Sequence, residues 1–205
     1  MQNEEEAERS RVVNPSFFIF HWPCQPHLNV EIKARCTSHQ PIRDILCSRG
    51  ADFRGTDHQT DTYFNVPHGR LKLREGNIEN ALVYYQREDQ EGPKQAQVML
   101  YPATPGSALK EILTASLGVR VAVKKQREIY FIDNVKFHLD QVDGLGMFVE
   151  IEAIDTNGSI GKDRLLAQCQ TFLALLQISH DDLVAVSYSD LLLEHLRRDS
   201  SLRSE

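Results

Sequence analysis

The sequence predicts an α+β fold, in which an eight-stranded antiparallel sheet closes into a barrel and helices pack against its outside. Three features predict it. Short segments of alternating polar and apolar residues recur from Asn29 to Ala153, as half-buried strands do. Stretches with apolar residues at helical spacing fall between the strand pairs rather than between parallel strands. The polar face of the strands carries Lys, Arg, Asp and Glu where a solvated sheet would carry Thr, Ser and Gln.

The elements follow in chain order. Residues 1–28 are polar and then irregular, with Pro15, Pro23 and Pro26, and are expected to form a flexible N-terminal extension. Asn29 to Arg35 is the first strand, with Val30, Ile32 and Ala34 on one face and Asn29, Glu31, Lys33 and Arg35 on the other. Pro41 to Arg49 reads as a helix, because Pro41 suits a first helical position and Gly50 suits a stop. Strands follow over Asp57 to Phe64, Arg70 to Glu75, Ala81 to Glu88 and Gln97 to Pro102, with turns at Pro67-His68-Gly69 and Gly76-Asn77. Ser107 to Leu117 is predicted helical, with Leu109, Ile112 and Leu113 packing into the core. Val119 to Ile132 is a long strand, and Val135 to Val142 pairs with Met147 to Ala153 around Asp143-Gly144-Leu145-Gly146. Gly161 to Leu176 is an amphipathic helix, and Ser189 to Arg198 is a last one. The domain is expected to span 29–196, with 197–205 a polar C-terminal tail.

Composition narrows the function. Lys and Arg number 23 against 29 Asp and Glu, a net charge of −6, which argues against a nucleic-acid partner and leaves any anionic ligand to a local basic cluster. Cys24, Cys36, Cys47 and Cys169 contain no CxxC pair and read as free thiols of a reducing compartment. No apolar run is long enough to cross a bilayer. The Phe17-Phe18-Ile19-Phe20 cluster lacks the basic start and the cleavage site of a secretory signal, so a cytoplasmic protein without a membrane partner is expected.

The strands carry the chemistry. Their polar faces present Glu31, Lys33 and Arg35, then Arg70, Lys72 and Arg74, then Tyr85 and Arg87, then Lys125 and Arg127, then Lys136, His138 and Asp140, then Glu150 and Glu152. Acids gather on the first and last strands and cations between them. Closure would turn this face inward, and buried charges are tolerated only when they balance one another or a ligand. Glu150 and Glu152, two apart on a strand, point the same way and suit a hard cation. The Arg and Lys set offers donors for phosphate oxygens.

The resemblance to a known family is specific. Asn29-Val30-Glu31-Ile32-Lys33 is similar to the ExExK strand of the CYTH family, the triphosphate tunnel metalloenzymes, with Asn29 in place of the first Glu. The likeness continues in order through Asp61-Thr62-Tyr63-Phe64, Gly69 to Glu75, Tyr85-Gln86-Arg87, Lys125 to Tyr130, Leu139-Asp140, Leu145 to Glu152 and Ser187 to Leu192. It implies a triphosphate tunnel inside the barrel. It implies Glu31, Asp140, Glu150 and Glu152 as ligands of Mg²⁺ or Mn²⁺, and Lys33, Arg70, Lys72, Arg74, Arg87, Lys125 and Arg127 as triphosphate-binding residues. Glu31, Lys33, Glu150 and Glu152 are then the catalytic set. The amide of Asn29 brings no negative charge, which implies weaker cation affinity at that position.

The family includes class IV adenylyl cyclases, thiamine triphosphatases and inorganic triphosphatases. Tripolyphosphate, thiamine triphosphate and ATP are therefore the candidate substrates. Hydrolysis to orthophosphate is the reading preferred here, because it asks less of the site and no adenine pocket is evident. Cyclisation of ATP to cyclic AMP and pyrophosphate is the alternative, and a binding module without catalysis is the second alternative. A homodimer is compatible with all three. His138 is expected in a structural hydrogen bond, and Tyr188 at the barrel mouth or in the core.

Overall fold

A computed structural model describes residues 26–202. Of the extension expected over 1–28, residues 1–25, including the Phe17 to Phe20 cluster and Cys24, lie outside the described residues, whereas His27 and Leu28 pair with neighbouring strands and belong to the first strand. Eight antiparallel strands close into a barrel. They are β1 (His27–Arg35), β2 (Asp52–Phe64), β3 (Arg70–Glu75), β4 (Ala81–Arg87), β5 (Lys94–Pro102), β6 (Val119–Ile132), β7 (Val135–Val142) and β8 (Gly146–Asp155). Their order around the barrel is β1-β5-β4-β3-β2-β6-β7-β8, and β8 returns to pair with β1. Helices α1 (Gln40–Ser48), α2 (Leu109–Leu117), α3 (Lys162–Leu175) and α4 (Tyr188–Leu202) lie outside.

Alternation explains which side each residue faces. On β1, Val30, Ile32 and Ala34 point outward and are almost fully buried, because α1 and α3 cover them. This outer core also takes Phe137, Leu139, Val149 and Ile151 from β7 and β8, with Leu165, Cys169 and Leu173 from α3. Phe172 of α3 meets Phe137 edge to face, with ring centroids 4.8 Å apart. After α3 the chain lies against β1, where the Val184 amide donates to the Lys33 carbonyl at 2.9 Å. That contact delivers Tyr188, at the start of α4, to one end of the barrel beside Phe148.

Two departures from the sequence reading have clear causes. The strand expected from Asp57 begins at Asp52, because Gly55, at φ 120°, bends the chain in a register shift that breaks the alternation while β2 goes on pairing with β6. The expected packing of α2 is corrected: Ile112 is 61% exposed and no residue of α2 is buried, so its apolar stripe rests on the sheet only along one edge. Among the described residues Cys36, Cys47 and Cys169 are free thiols, and no helix is long and apolar enough to cross a membrane.

Phe137 is fully buried where the sheet meets α3, so Phe137→Ala is expected to lower the unfolding free energy by about 3–5 kcal/mol in a urea titration.

Candidate active site

The inward faces of the strands enclose a cavity of about 370 Å³. Strand pairing decides which charges meet there. Across β1 and β8, Glu31 stands opposite Glu152 and Lys33 opposite Glu150. Across β6 and β7, Arg127 stands opposite Asp140. Lys33 binds Glu150 at 3.0 Å, and Arg127 grips Asp140 through Nε at 2.6 Å while reaching Glu150 at 2.7 Å. Arg87 is paired with Glu31. The Lys33 ammonium also sits 4.1 Å from the centre of the Tyr188 ring, whose hydroxyl donates to Asp140 at 2.7 Å.

A second centre is Asp61. Its carboxylate accepts from Lys72 at 2.9 Å, Arg74 at 2.9 Å and Lys125 at 2.6 Å. Burial alone would push this carboxyl up, but Arg74, Lys125 and Lys72 together hold it well below the usual carboxylate range. Arg74 continues to Glu79 at 2.7 Å, and Glu79 pairs with Lys136. Asp57 acts on the backbone: its carboxylate accepts from the Ile78 and Glu79 amides at 2.9 Å each, which fixes the loop that presents Glu79. Gly76 in that loop must stay small, because a Cβ there would lie 2.5 Å from the Asp57 carboxylate.

Of the residues named from sequence, Glu31, Lys33, Lys72, Arg74, Arg87, Arg127, Glu150 and Glu152 line the cavity. Three do not. Asp140 is fully buried behind Arg127 and Tyr188, Lys125 is buried behind Asp61, and Arg70 sits outside with Asp89 at 2.6 Å and Asp190 at 2.9 Å. Sequence reasoning quoted Asp61 in the family likeness without giving it a role, and passed over Glu79 and Lys94. Asp61 and Glu79 were open to it: Asp57, Gln59, Asp61 and Tyr63 alternate on β2 as Arg70, Lys72 and Arg74 do on β3, and Glu79 follows the Gly76-Asn77 turn.

The titratable groups carry the mark of enclosure. Burial, helped by Arg127 and Lys136, lowers His138 to about 3, so its imidazole is neutral. Its Nδ1 lies 3.1 Å from Glu150, which places the proton on Nδ1 and leaves Nε2, a buried atom without a partner, as an acceptor. Glu152 is raised, first by burial and then by Glu31 and Glu150 against the opposing pull of Lys136. Lys125 falls to about 7, by burial and the crowding of Arg127, Arg74 and Lys72. Lys94 falls to about 8, by burial and by Arg87 and Lys33.

A hard cation fits part of this set. Glu31 and Glu152 are adjacent carboxylates, and Asn29 Oδ1 is a buried oxygen with no hydrogen-bond partner, while the Asn29 amide nitrogen donates to Glu152. Among the described residues no three His, Cys, Asp or Glu side chains converge as a ready cage, since Arg87 and Arg127 occupy the intervening positions.

Comparison with known proteins agrees with this architecture. Residues 27–188 match the CYTH domain family, and the chain belongs to that family. A Methanocaldococcus jannaschii protein provisionally named as an adenylate cyclase is 26% identical over 80% of this chain and 98% of its own length. The solved PH1012 protein of Pyrococcus horikoshii superposes with a TM-score of 0.67 at 25% identity, over 80% of this chain and 98% of that one. A Hippeastrum protein, HpAC1, described as having a dominant triphosphatase activity, shares the fold with a TM-score of 0.54 at 15% identity, over 82% of this chain and 94% of its own.

Removing the Asp61 charge leaves three cations crowded against each other, so Asp61→Asn is expected to destabilise the protein by about 3–5 kcal/mol at neutral pH. The folded pKa lies below the unfolded one. The contribution is therefore complete above the ordinary carboxylate range and disappears as pH falls through the depressed value. Urea unfolding of both proteins across that range should show the gap between them closing in acid.

Proposed function

We propose that this chain is a divalent-metal-dependent triphosphatase, using Mg²⁺ or Mn²⁺ and releasing orthophosphate from a triphosphate held inside the barrel. The convergence of Lys33, Lys72, Arg74, Arg87 and Arg127 on one cavity, beside the paired acids Glu31 and Glu152, carries this reading. A chain of phosphates needs charge along its length, and the cations lining the cavity supply it once phosphate oxygens take the place of their carboxylate partners.

Lys33, Lys72, Arg74, Arg87 and Arg127 hold phosphate oxygens in this proposal. Lys125 acts through Asp61, and Arg70 ties β3 to the first turn of α4 through Asp190. Glu31, Glu150 and Glu152 would hold the cation with Asn29 Oδ1, while Asp140, whose oxygens are taken by Arg127 and Tyr188, orients Arg127. The bound cation supplies positive charge against the phosphates and makes a water more acidic. Water attacks the terminal phosphorus, the bridging P–O bond breaks, and the remaining diphosphate keeps the bond electrons. Neutral His138 orients that water through Nε2 while Glu150 fixes the ring through Nδ1. A second reading, cyclisation of ATP, draws support from the name of the Methanocaldococcus relative.

Purified protein with Mg²⁺ or Mn²⁺ should release phosphate from at least one of tripolyphosphate, thiamine triphosphate and ATP. Cyclic AMP and pyrophosphate from ATP would favour the cyclase, and no product from any of the three would remove the enzyme assignment. Glu150→Gln is expected to lower kcat by about 10²-fold or more, with folding checked by circular dichroism. A rate close to that of the parent would take Glu150 out of the site.

Lys94 at about 8 and Lys125 at about 7 are part-deprotonated in mild alkali. A polyanion in the cavity favours their charged forms, so tripolyphosphate binding at slightly alkaline pH should take up protons. Calorimetry in buffers of different ionisation enthalpy measures this uptake, and an enthalpy independent of buffer would contradict it.

A further inference from the structure

Among the described residues that line the cavity, all but Ser187 and Tyr188 belong to a barrel strand or to the turn between β3 and β4. These two come from the stretch that joins α3 to α4, which the alternation of the barrel strands does not place. The connector reaches β1 first. Leu183 bridges to Ala34, and the Val184 amide donates to the Lys33 carbonyl at 2.9 Å. The Val184 carbonyl then accepts from the ammonium of Lys94. Val184 is therefore held from two strands, by the backbone of β1 and by a side chain of β5. Four residues later the Tyr188 ring lies against the Lys33 ammonium and edge to face with Phe148, and its hydroxyl donates to Asp140. Asp140 in turn fixes Arg127 through both of its carboxylate oxygens.

Lys94 is an unusual residue at its position. It is 1% exposed, and among the described residues no carboxylate pairs with its ammonium. Burying an ammonium without an acid is costly, and a Met of similar length would fill the same space without that cost. What a Met lacks is the donor. Ala96 and Val98, on the same face of β5, border the cavity, whereas Lys94 does not. It stands opposite Glu31 across β1 and β5, with its ammonium turned to the connector. A charged donor gives the Val184 carbonyl a stronger bond than a neutral one would.

We infer that Lys94 is a positioning residue: its bond to the Val184 carbonyl seats the connector so that Tyr188 stands between Lys33 and Asp140 and holds Arg127 in its orientation toward the cavity. The consequence for catalysis rests on the triphosphatase reading, whereas the seating does not. Without the donor the Val184 carbonyl is left unpaired in a closed space, and the connector gains by moving outward to water. The far end of the stretch is anchored separately, since Asp190 meets Arg70 at 2.9 Å and Arg120 at 3.1 Å. Lys94 and Asp190 thus bracket Ser187 and Tyr188, and loss of Lys94 frees one side only. The Tyr188 hydroxyl then drifts from Asp140, and a small displacement of Arg127 is enough to slow a reaction that depends on alignment.

The test uses the full chain with Lys94→Met, Lys94→Gln, Tyr188→Phe and the double variant Lys94→Met/Tyr188→Phe. Hydrogen exchange read by mass spectrometry, without substrate, follows the connector directly. Lys94→Met speeds exchange of the Val184 to Leu191 amides by about tenfold or more, while β7 and β8 keep the protection of the parent. Lys94→Gln retains a donor, guards against misfolding of the Met variant, and lies between the two. Unchanged exchange in the connector, or acceleration spread evenly over the barrel, overturns the inference. Turnover is then measured with whichever of tripolyphosphate, thiamine triphosphate and ATP the parent hydrolyses fastest. Lys94→Met and Tyr188→Phe each lower kcat by about tenfold or more, and the double variant is no slower than the slower single one. Losses that multiply in the double variant show that Lys94 acts independently of Tyr188, as a direct phosphate ligand would, and overturn the inference. No turnover by the parent defeats the triphosphatase reading alone, and the exchange measurement still decides whether Lys94 seats Tyr188.

Discussion

Buried charge balance is the constraint on which the structure depends. Asp61, Asp140, Lys33, Lys125 and Arg127 are all nearly inaccessible to solvent, and any one of them alone inside a protein would be strongly unfavourable. None is alone. Asp61 meets three cations, and Arg127 is shared between Asp140 and Glu150. These partners sit on different strands, so the balance exists only when the barrel is closed. A first strand that slipped by one residue against β8 would turn Glu31 and Lys33 outward and Val30, Ile32 and Ala34 inward at once. The apolar outer face and the ionic inner face therefore specify the same register.

Much of this was legible in the chain itself. Strict alternation on β1, β3 and β6 announced which side chains share a face, and their charges showed that the face could not be an ordinary wet one. Where the reading fell short, the period of two was interrupted or the partner lay far away in sequence. Gly55 hid the first turn of β2 by bending it. The anchoring of Asp140 behind Arg127 depends on Tyr188, 48 positions further on, which no local pattern predicts. Ile112 on α2 has helical spacing with its neighbours, but amphipathic spacing says nothing about how closely the sheet approaches.

The same pairing shapes what the cavity can accept. Its cations are not free donors waiting for a ligand: Lys33 holds Glu150, Arg87 holds Glu31, and Arg74 holds Asp61 and Glu79. Under the proposed function, phosphate must replace carboxylate at these cations, which would strand the acids unless something positive reaches them. Glu152, already raised by burial and by its acidic neighbours, is where that need is greatest. Glu31 and Glu152 would hold a divalent ion in that reading, Arg87 would then be free for the phosphates, and the phosphates would relieve the crowding of Arg127, Arg74 and Lys125. Cation and triphosphate then each favour the other, because each takes the partner that the other sets free.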